Sequence, residues 1–310
     1  MAKTFIGKAS KLFSVIIAAV LLAGCAFMFA ACESRHPEIT FTISFNDETY
    51  TIEYKLDRSV APQTVAHYIE LIDLDYFDNT VIHDYQDDRM IGGGYTYMDG
   101  GQVDMENTDI MDDLVPLDYE GITTDGNGNV TLQNISLWRD AECTQPLNRL
   151  FGEISSGNGV SMGNGSFLSN SFGALGTYTY AYKMADEEGM KDFVYITPSE
   201  SGESNARQYY RNSVQGMFYI YTSTSSSSDG NFCVFGELKN DDSKTALEDL
   251  LDAISTYQED NDLDSFTEVK TDSVVYDNMV GNGSYTLDGD DRFDVPQCRI
   301  IIEKVEVTKY

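Results

Sequence analysis

The sequence predicts a mainly β fold, a barrel or sandwich plugged by two helices. Three observations carry that expectation. The stretch EITFTISFNDETYTIEYKL (38–56) alternates apolar and polar residues on both sides of a turn. Two stretches, within 57–77 and 244–255, instead place apolar residues at helical spacing. The other apolar residues fall in short runs rich in Val, Ile, Tyr, Phe and Thr, which fit a pleated surface. With 310 residues, 42% hydrophobic and 12% aromatic, the chain has the material for a sizeable core and for one or two domains.

The elements follow in order. In the first hairpin Ile39, Phe41, Ile43 and Phe45 share a face, NDE turns the chain, and Tyr50, Ile52, Tyr54 and Leu56 share a face on return. DRSVAPQTVAHYIELIDLDYF (57–77) changes period: Ser59 is placed to cap a helix, Pro62 suits its first turn, and Val65, Tyr68, Ile69 and Ile72 form its stripe. His67 lies off that stripe and is expected at the surface. Strand signals resume at TVIHDY (80–85). Residues 101–150 read as an irregular acidic insertion. There Asp125, Asn127 and Asn129 have the alternate spacing of a calcium loop, but Val130 and Ser136 stand where it needs Gly and Glu, so a turn between strands is expected. SSGNGVSMGNGSFLSNSFG (155–173) reads as a loop and GTYTYAY (176–182) as a strand. Residues 184–211 read as a second insertion. GMFYIYT (216–222) and NFCVFGEL (231–238) are strands. KTALEDLLDAIS (244–255) is a helix with Leu247, Leu250, Leu251 and Ile254 on one face. A third, acidic insertion covers 257–290, and VPQCRIIIEKVEVTKY (295–310) closes the chain as a strand.

The charge excludes one class of partner. Asp and Glu total 51 against 20 Lys and Arg, a net −31 with a pI near 4.1. Nucleic-acid binding needs cations to neutralise phosphates, and direct adsorption to anionic lipid needs them too. The charge reads as a solvated surface that keeps an exported protein soluble. The N-terminus has the plan of an export signal: MAKTFIGKASK carries three lysines and no acid, and LFSVIIAAVLLAGCAFMFAAC follows without a charge. That run is about long enough to span a bilayer, so a plain transmembrane anchor is the alternative reading.

The five cysteines give no framework. Cys143, Cys233 and Cys298 are odd in number and form no CxxC pair, so neither a disulfide scaffold nor a zinc site is indicated. Cys233 and Cys298 lie in apolar runs and read as small core residues. The triple glycine at 92–94 is followed by neither GK[ST] nor a helix, which excludes a phosphate loop. No GxSxG nucleophile motif occurs, and the histidines at 36, 67 and 83 lack ligand spacing. No cofactor and no metal is expected.

Two resemblances join these pieces. LLAGC, ending at Cys25, and FAAC, ending at Cys32, resemble the lipobox of bacterial lipoproteins, in which the cysteine is lipidated and becomes the mature N-terminus. LAGC is the better motif, whereas the polar chain starts directly after Cys32. The resemblance implies a signal and anchor over 1–32 and a place on the extracytoplasmic face of the cell membrane. The rest, 38–310, resembles a cyclophilin, a peptidyl-prolyl cis-trans isomerase with a closed eight-stranded β-barrel. APQTVAHYIEL resembles the family's first helix, APKTVENFLKL. YFDNTVIHD resembles FYDGTIFHR, and RMIGGGYT resembles FMIQGGDFT. NSVQGMFYIYT and DGNFCVFGEL are similar to NTNGSQFFICT and DGKHVVFGKV. The matching pieces run in the family's order from about 39 to 308.

Such an isomerase lowers the barrier of about 18–20 kcal/mol to rotation about the X-Pro amide. The family directs an arginine at the prolyl nitrogen, holds the peptide with glutamines, and receives the ring in an apolar cup, so its catalysis is preorganised electrostatics. Here His83 falls on the histidine before that arginine and Asp84 falls on the arginine. Arg89 replaces a cup phenylalanine, and Met90 keeps the cup's methionine. Gly92 and Met217 replace glutamines, and Tyr182 replaces an asparagine or arginine. Phe218 is kept, Tyr219 replaces a phenylalanine, Ser227 the tryptophan of some members or the phenylalanine-like residue of others, and Phe232 a histidine. A carboxylate cannot donate to an amide nitrogen and carries the wrong charge, so Asp84 implies weak or lost catalysis. Arg89 swinging into the missing role is the rescue to be weighed. The implied partners are proline-containing peptides or exported client proteins, held by an isomerase or by a non-catalytic surface module. A structural envelope protein whose insertions carry the contacts is the third reading.

Overall fold

The alternation at 38–56 folds as it reads. Strands β1 (Glu38–Phe45) and β2 (Glu48–Leu56) pair antiparallel from Glu38↔Lys55 to Phe45↔Glu48. The two loop residues, Asn46 and Asp47, both have positive φ, 48° and 65°. That is the backbone of a tight turn whose twist matches the strands. Ile39, Phe41, Ile43 and Phe45 are buried, as are Tyr50, Ile52, Tyr54 and Leu56.

The computed structural model describes residues 34–97, 114–116, 137–138, 140–144, 146–147, 150–154, 168–179, 182–186, 189–191, 193–196, 205–208, 213–214, 216–225, 232–270, 285–287 and 293–310. They fall into a compact body, His36–Lys309, and a second unit, Met1–Arg35 with Tyr310, of which only Ser34, Arg35 and Tyr310 are described. Cys25, Cys32, the 123–136 turn and Ser227 lie outside the described residues. Among the described residues no helix is long and apolar enough to cross a membrane.

Helix α1 (Pro62–Asp73) buries the predicted stripe. Two expectations about it fail. The Ser59 hydroxyl turns back onto the Asp57 carboxylate, and the N-cap is Ala61, which offers no side-chain cap. The orphan donors of the first turn go instead to Glu153, whose carboxylate accepts from the N–H of Thr64 at 2.8 Å and of Gln63 at 3.3 Å. His67 is not at the surface: it is 4% exposed with its ring edge-on to Tyr68. Gln63, Thr64 and His67 are buried along with the stripe, so the helix is packed on more than one face.

Glu153 gives a testable pH dependence. Burial raises its pKa against the lowering effect of the Thr64 and Gln63 hydrogen bonds. A carboxyl with a folded pKa above its unfolded one contributes stability that is complete below the unfolded value and lost as pH rises through the folded one. Glu153→Gln keeps an acceptor oxygen for Thr64 and is expected to flatten that decline. Urea-unfolding midpoints from about pH 4 to pH 8 check it; parallel curves for variant and parent would rule the effect out.

The remaining main-sheet strands are β3 (Thr80–Val81), β4 (Asp84–Gln86), β5 (Arg89–Gly92), β6 (Tyr95–Tyr97), β7 (Leu114–Pro116), β8 (Leu175–Thr177), β9 (Phe218–Tyr221), β10 (Val234–Leu238) and β11 (Ile300–Lys309). Their order is β4-β5-β9-β8-β10-β2-β1-β11-β3-β6-β7. The pair β4-β5 at one end of that order and the pair β3-β6, next to β7 at the other, belong to one hairpin, residues 80–97. On its first arm the Ile82 N–H donates to Ile300 O on β11, and the next residue, His83, donates to Ile91 O on β5, each at 3.0 Å. The second arm turns at Gly93, where φ is 76° and a Cβ would sit 2.4 Å from Gly216 O. The ladder therefore returns to its start. Eight strands close the ring, namely the two hairpin arms, β9, β8, β10, β2, β1 and β11, and β7 extends β6 outside it. The eight-stranded barrel expected from the resemblance is borne out.

A barrel of this size is filled by side chains. Phe41 meets Tyr54 at 5.5 Å and Phe218 at 5.3 Å, and Phe77 meets Phe218 at 5.6 Å, all edge-to-face. The Tyr54 hydroxyl is fully buried, and among the described residues it has no hydrogen-bond partner. An unpaired buried hydroxyl costs roughly 1–3 kcal/mol. Tyr54→Phe is accordingly expected to raise the thermal midpoint, and a clear drop would show that the hydroxyl is bonded.

Helix α2 (Asp241–Asp260) starts before the predicted 244–255 and ends after it. The Asn240 side chain caps it, accepting from the Ser243 N–H at 2.8 Å, and Asp241 and Asp242 favour the positive end of its dipole. Leu247, Leu250 and Ile254 are buried, and Leu251 is half-buried. Among the described residues α1 and α2 are the two helices. The expected insertions contain pairing of their own: 182–186 with 189–191 and 285–287, 193–196 with 205–208 and 137–138, and 267–270 with 293–296. Cys233 is buried as expected, whereas Cys298 is only partly buried.

Candidate functional site

Strand alternation decides which side chains of the 80–97 hairpin face outward. Paired residues share a face, and neighbours along a strand do not. Asp84 pairs with Ile91, which pairs with Tyr219, which pairs with Gly176. Gln86 pairs with Arg89, which pairs with Tyr221. These rows form the outer face of the barrel wall. Tyr85, Met90, Gly92, Phe218 and Ile220 occupy the opposite face and join the interior. Residues 77–97 and 212–236 therefore lie side by side, joined by the β5–β9 ladder.

The expected groove divides in consequence. Met90 and Phe218 are core residues of the barrel, 0% and 1% exposed. At Gly92 an added Cβ would stand 2.9 Å from Phe218 Cζ and 3.0 Å from Ile82 Cδ1. None of the three faces a ligand on the outer wall; the pleat turns them inward. Met217 is also fully buried, its sulfur against the Gly94 corner beside His83. Its carbonyl accepts from the Tyr68 hydroxyl and, at 3.0 Å, from the Tyr178 N–H. Tyr182 begins the 182–186 strand, outside the barrel.

His83 and Asp84 are sealed. His83 is 0% exposed, its ring centroid 4.4 Å from that of Tyr95, and burial pushes its pKa down to about 3. It is a neutral imidazole at any physiological pH. Asp84 is likewise 0% exposed. Its Oδ2 accepts from Gln86 Nε2 at 2.9 Å, and its Oδ1 accepts from the Asp294 N–H at 3.1 Å. The strand Phe293–Pro296 thus lies over the place where the resemblance puts the catalytic arginine. Phe266 fixes that cover: it is 4% exposed, with Tyr85, Phe45 and Tyr257 around its ring, and it precedes the strand that pairs with 293–296.

What remains on the outer wall is a patch of rings around one cation. Tyr178 and Phe232 stack at 5.0 Å, and Tyr219 stands edge-on to both, at 6.4 Å and 6.0 Å. The Arg89 guanidinium lies 5.2 Å from the Tyr219 ring centre and 5.9 Å from that of Phe232. Asp88 grips it by two bonds, from Nε at 2.7 Å and Nη2 at 2.9 Å. Burial works against the Arg89 charge, but the Asp88 hydrogen bond and charge outweigh it and raise the pKa; the same bond lowers that of Asp88. Tyr219 is fully buried, its hydroxyl bonded to Asn170 Oδ1 and its ring lying over Gly176. Tyr178, Phe232 and Leu168 are half-buried and pack against this cluster at its rim.

Of the predicted site residues, the patch unites Arg89, Tyr219 and Phe232. Sequence reading missed Tyr178, Gly176 and Asn170. Gly176 carried a signal, since a glycine inside a strand often marks a close approach; Tyr178 and Asn170 carried none. Two clefts, of about 520 and 450 Å³, lie elsewhere, along the second half of α2 and between it and the β1–β2 turn, and no group of residues at the wall supplies a chemistry for them. Among the described residues no cluster of His, Cys, Asp or Glu is placed to hold a metal ion.

A family model described as cyclophilin type peptidyl-prolyl cis-trans isomerase/CLD matches residues 40–136, which take in the first hairpin, α1 and β3 to β7. None of the curated proteins compared matches the chain. Among solved structures, a cyclophilin type peptidyl-prolyl cis-trans isomerase from Cryptosporidium parvum aligns with 12% identity and a TM-score of 0.37, covering 89% of this chain and 99% of that one. The same protein in the presence of the dipeptide Ala-Pro aligns with 12% identity and a TM-score of 0.36, covering 88% and 99%. The family match covers residues 40–136, which resemble a cyclophilin-type domain, and the ring of eight strands agrees with that resemblance.

Proposed function

We propose that this protein is an exported, lipid-anchored cyclophilin-like module that holds proline-containing segments of other proteins at its aromatic patch and does not accelerate their isomerisation. The observation that carries the reading is the state of Asp84. An acid buried under residues 293–296 stands where the family directs an arginine at the prolyl nitrogen. It has the wrong charge to stabilise a pyramidal amide nitrogen, and no peptide reaches it. Arg89 does not take over the role, because its guanidinium is held by Asp88 and laid on Tyr219. Binding is supported by the half-buried rings of Tyr178 and Phe232, which offer flat apolar faces to a pyrrolidine ring. The anchor rests on the basic start, the apolar run and the lipobox-like residues before Cys25 and Cys32.

A protease-coupled assay on a short X-Pro peptide tests the catalytic half, with the uncatalysed rate as the expected result. Any enhancement that scales with protein concentration makes the protein an isomerase. NMR titration with proline peptides tests the binding half. Shifts are expected at Tyr178, Tyr219 and Phe232, and an unmoved spectrum leaves a purely structural protein. Fatty-acid labelling that survives a Cys25→Ser, Cys32→Ser double substitution rejects the anchor.

A further inference from the structure

We infer that the segments held at this patch are basic, a proline flanked by lysine or arginine. The inference rests on the binding reading above and adds the charge class of the ligand. Its basis is the arrangement of charge at the rim. The one cation described at the patch, Arg89, is already neutralised: Asp88 occupies two of its nitrogens, and an acidic ligand would have to displace that carboxylate to pair with it. Beside it Asp87 is exposed, at the tip of the turn between β4 and β5. The turn is fixed against the patch wall, because the Thr222 N–H donates to Asp88 O at 2.8 Å, directly after Tyr221 of β9. Asp87 thus adds an exposed carboxylate to the same turn as Asp88, whose partner Arg89 lies by the rings. The faces of Tyr178 and Phe232 attract cations as well, as the guanidinium already lying by Phe232 shows. Behind both stands the net −31 of the chain, which draws a basic segment in and repels an acidic one over a longer range.

Two fluorescent peptides with the same Gly-Pro core, one flanked by lysines and one by glutamates, test this on the full-length protein in a non-ionic detergent, read by anisotropy. At about 0.01 M salt the lysine peptide is expected to bind at least about tenfold tighter. At about 1 M salt, where the Debye length falls from about 30 Å to about 3 Å, the ratio is expected to approach one. Asp87→Lys, at an exposed turn, should lower the low-salt ratio severalfold. Phe232→Ala should weaken both peptides and remove the preference, with unchanged circular dichroism. Equal affinities at low salt, or a tighter glutamate peptide, overturn the charge assignment and leave the binding reading standing. If neither peptide binds at either salt, the binding reading falls and this inference with it. A lysine preference untouched by Phe232→Ala would reveal attraction to the acidic chain as a whole and overturn the assignment to the patch.

Discussion

Rebuilding the family's polar set by Asp84→Arg, Gly92→Gln and Met217→Gln is expected to unfold the barrel and to yield no isomerase activity. Each change meets a position that the fold has closed. Asp84 is 0% exposed, with Gln86 and the Asp294 backbone bonded to it as donors. An arginine there is a buried cation facing donors, a fault that costs about 3–5 kcal/mol. Gly92 faces Phe218, Ile82 and Ile302 inside the ring, and its Cβ alone would approach Phe218 Cζ to 2.9 Å. Overpacking of this kind costs about 1–3 kcal/mol before the amide finds no partner. The sum rivals the whole stability of an ordinary domain, about 5–15 kcal/mol. Urea unfolding of the triple variant should therefore show a midpoint shifted far down or no folded baseline. A variant with the parent's midpoint and a measurable rotamase rate would mean that the wall is still a catalytic groove.

Gly176→Ala is expected to abolish peptide binding while leaving most of the barrel intact. Gly176 pairs with Tyr219, whose ring lies across the neighbouring backbone. A Cβ at 176 would stand 2.3 Å from Tyr219 Cζ and 2.5 Å from its hydroxyl oxygen. The ring is fully buried and tied to Asn170, so it has no free path aside. Displacing it removes the seat of the Arg89 guanidinium and one wall of the ring cluster. The stability loss expected is about 1–3 kcal/mol. The readout is peptide anisotropy beside a thermal melt. Full affinity in a folded variant would show that Tyr219 does not shape the patch.

The barrel was legible because two periods are written plainly in the chain. Alternation at 38–56 gave both strands and their inner faces, and the stripe Val65, Tyr68, Ile69, Ile72 gave α1. The errors arose where a residue's partner is distant in sequence. Ser59 was the local candidate for a cap, but Glu153 does the capping from 89 residues away. His67 lies off the apolar stripe, yet α1 is packed on that side too. The site was half legible for the same kind of reason. Motif matching placed residues 84 to 92 along the chain, but the face that each presents depends on pairing with β9. Arg89 and Met90 are neighbours in any motif, and the pleat sends one out and the other in. Nothing in local composition announces that strand 293–296 will cover Asp84, because that contact spans 210 residues.

The way the ring shuts also bears on how the protein is made. Strand β11, residues 300–309, pairs with β1 along its whole length and with β3 as well. Until residues 300–309 are in place, β1 and the 80–97 hairpin each hold an open edge of unpaired amides. An uncovered apolar edge invites pairing with other chains. The nascent protein therefore needs shielding until those residues emerge, and a chain cut short before Ile300 is left with the adhesive edge that the closed ring hides.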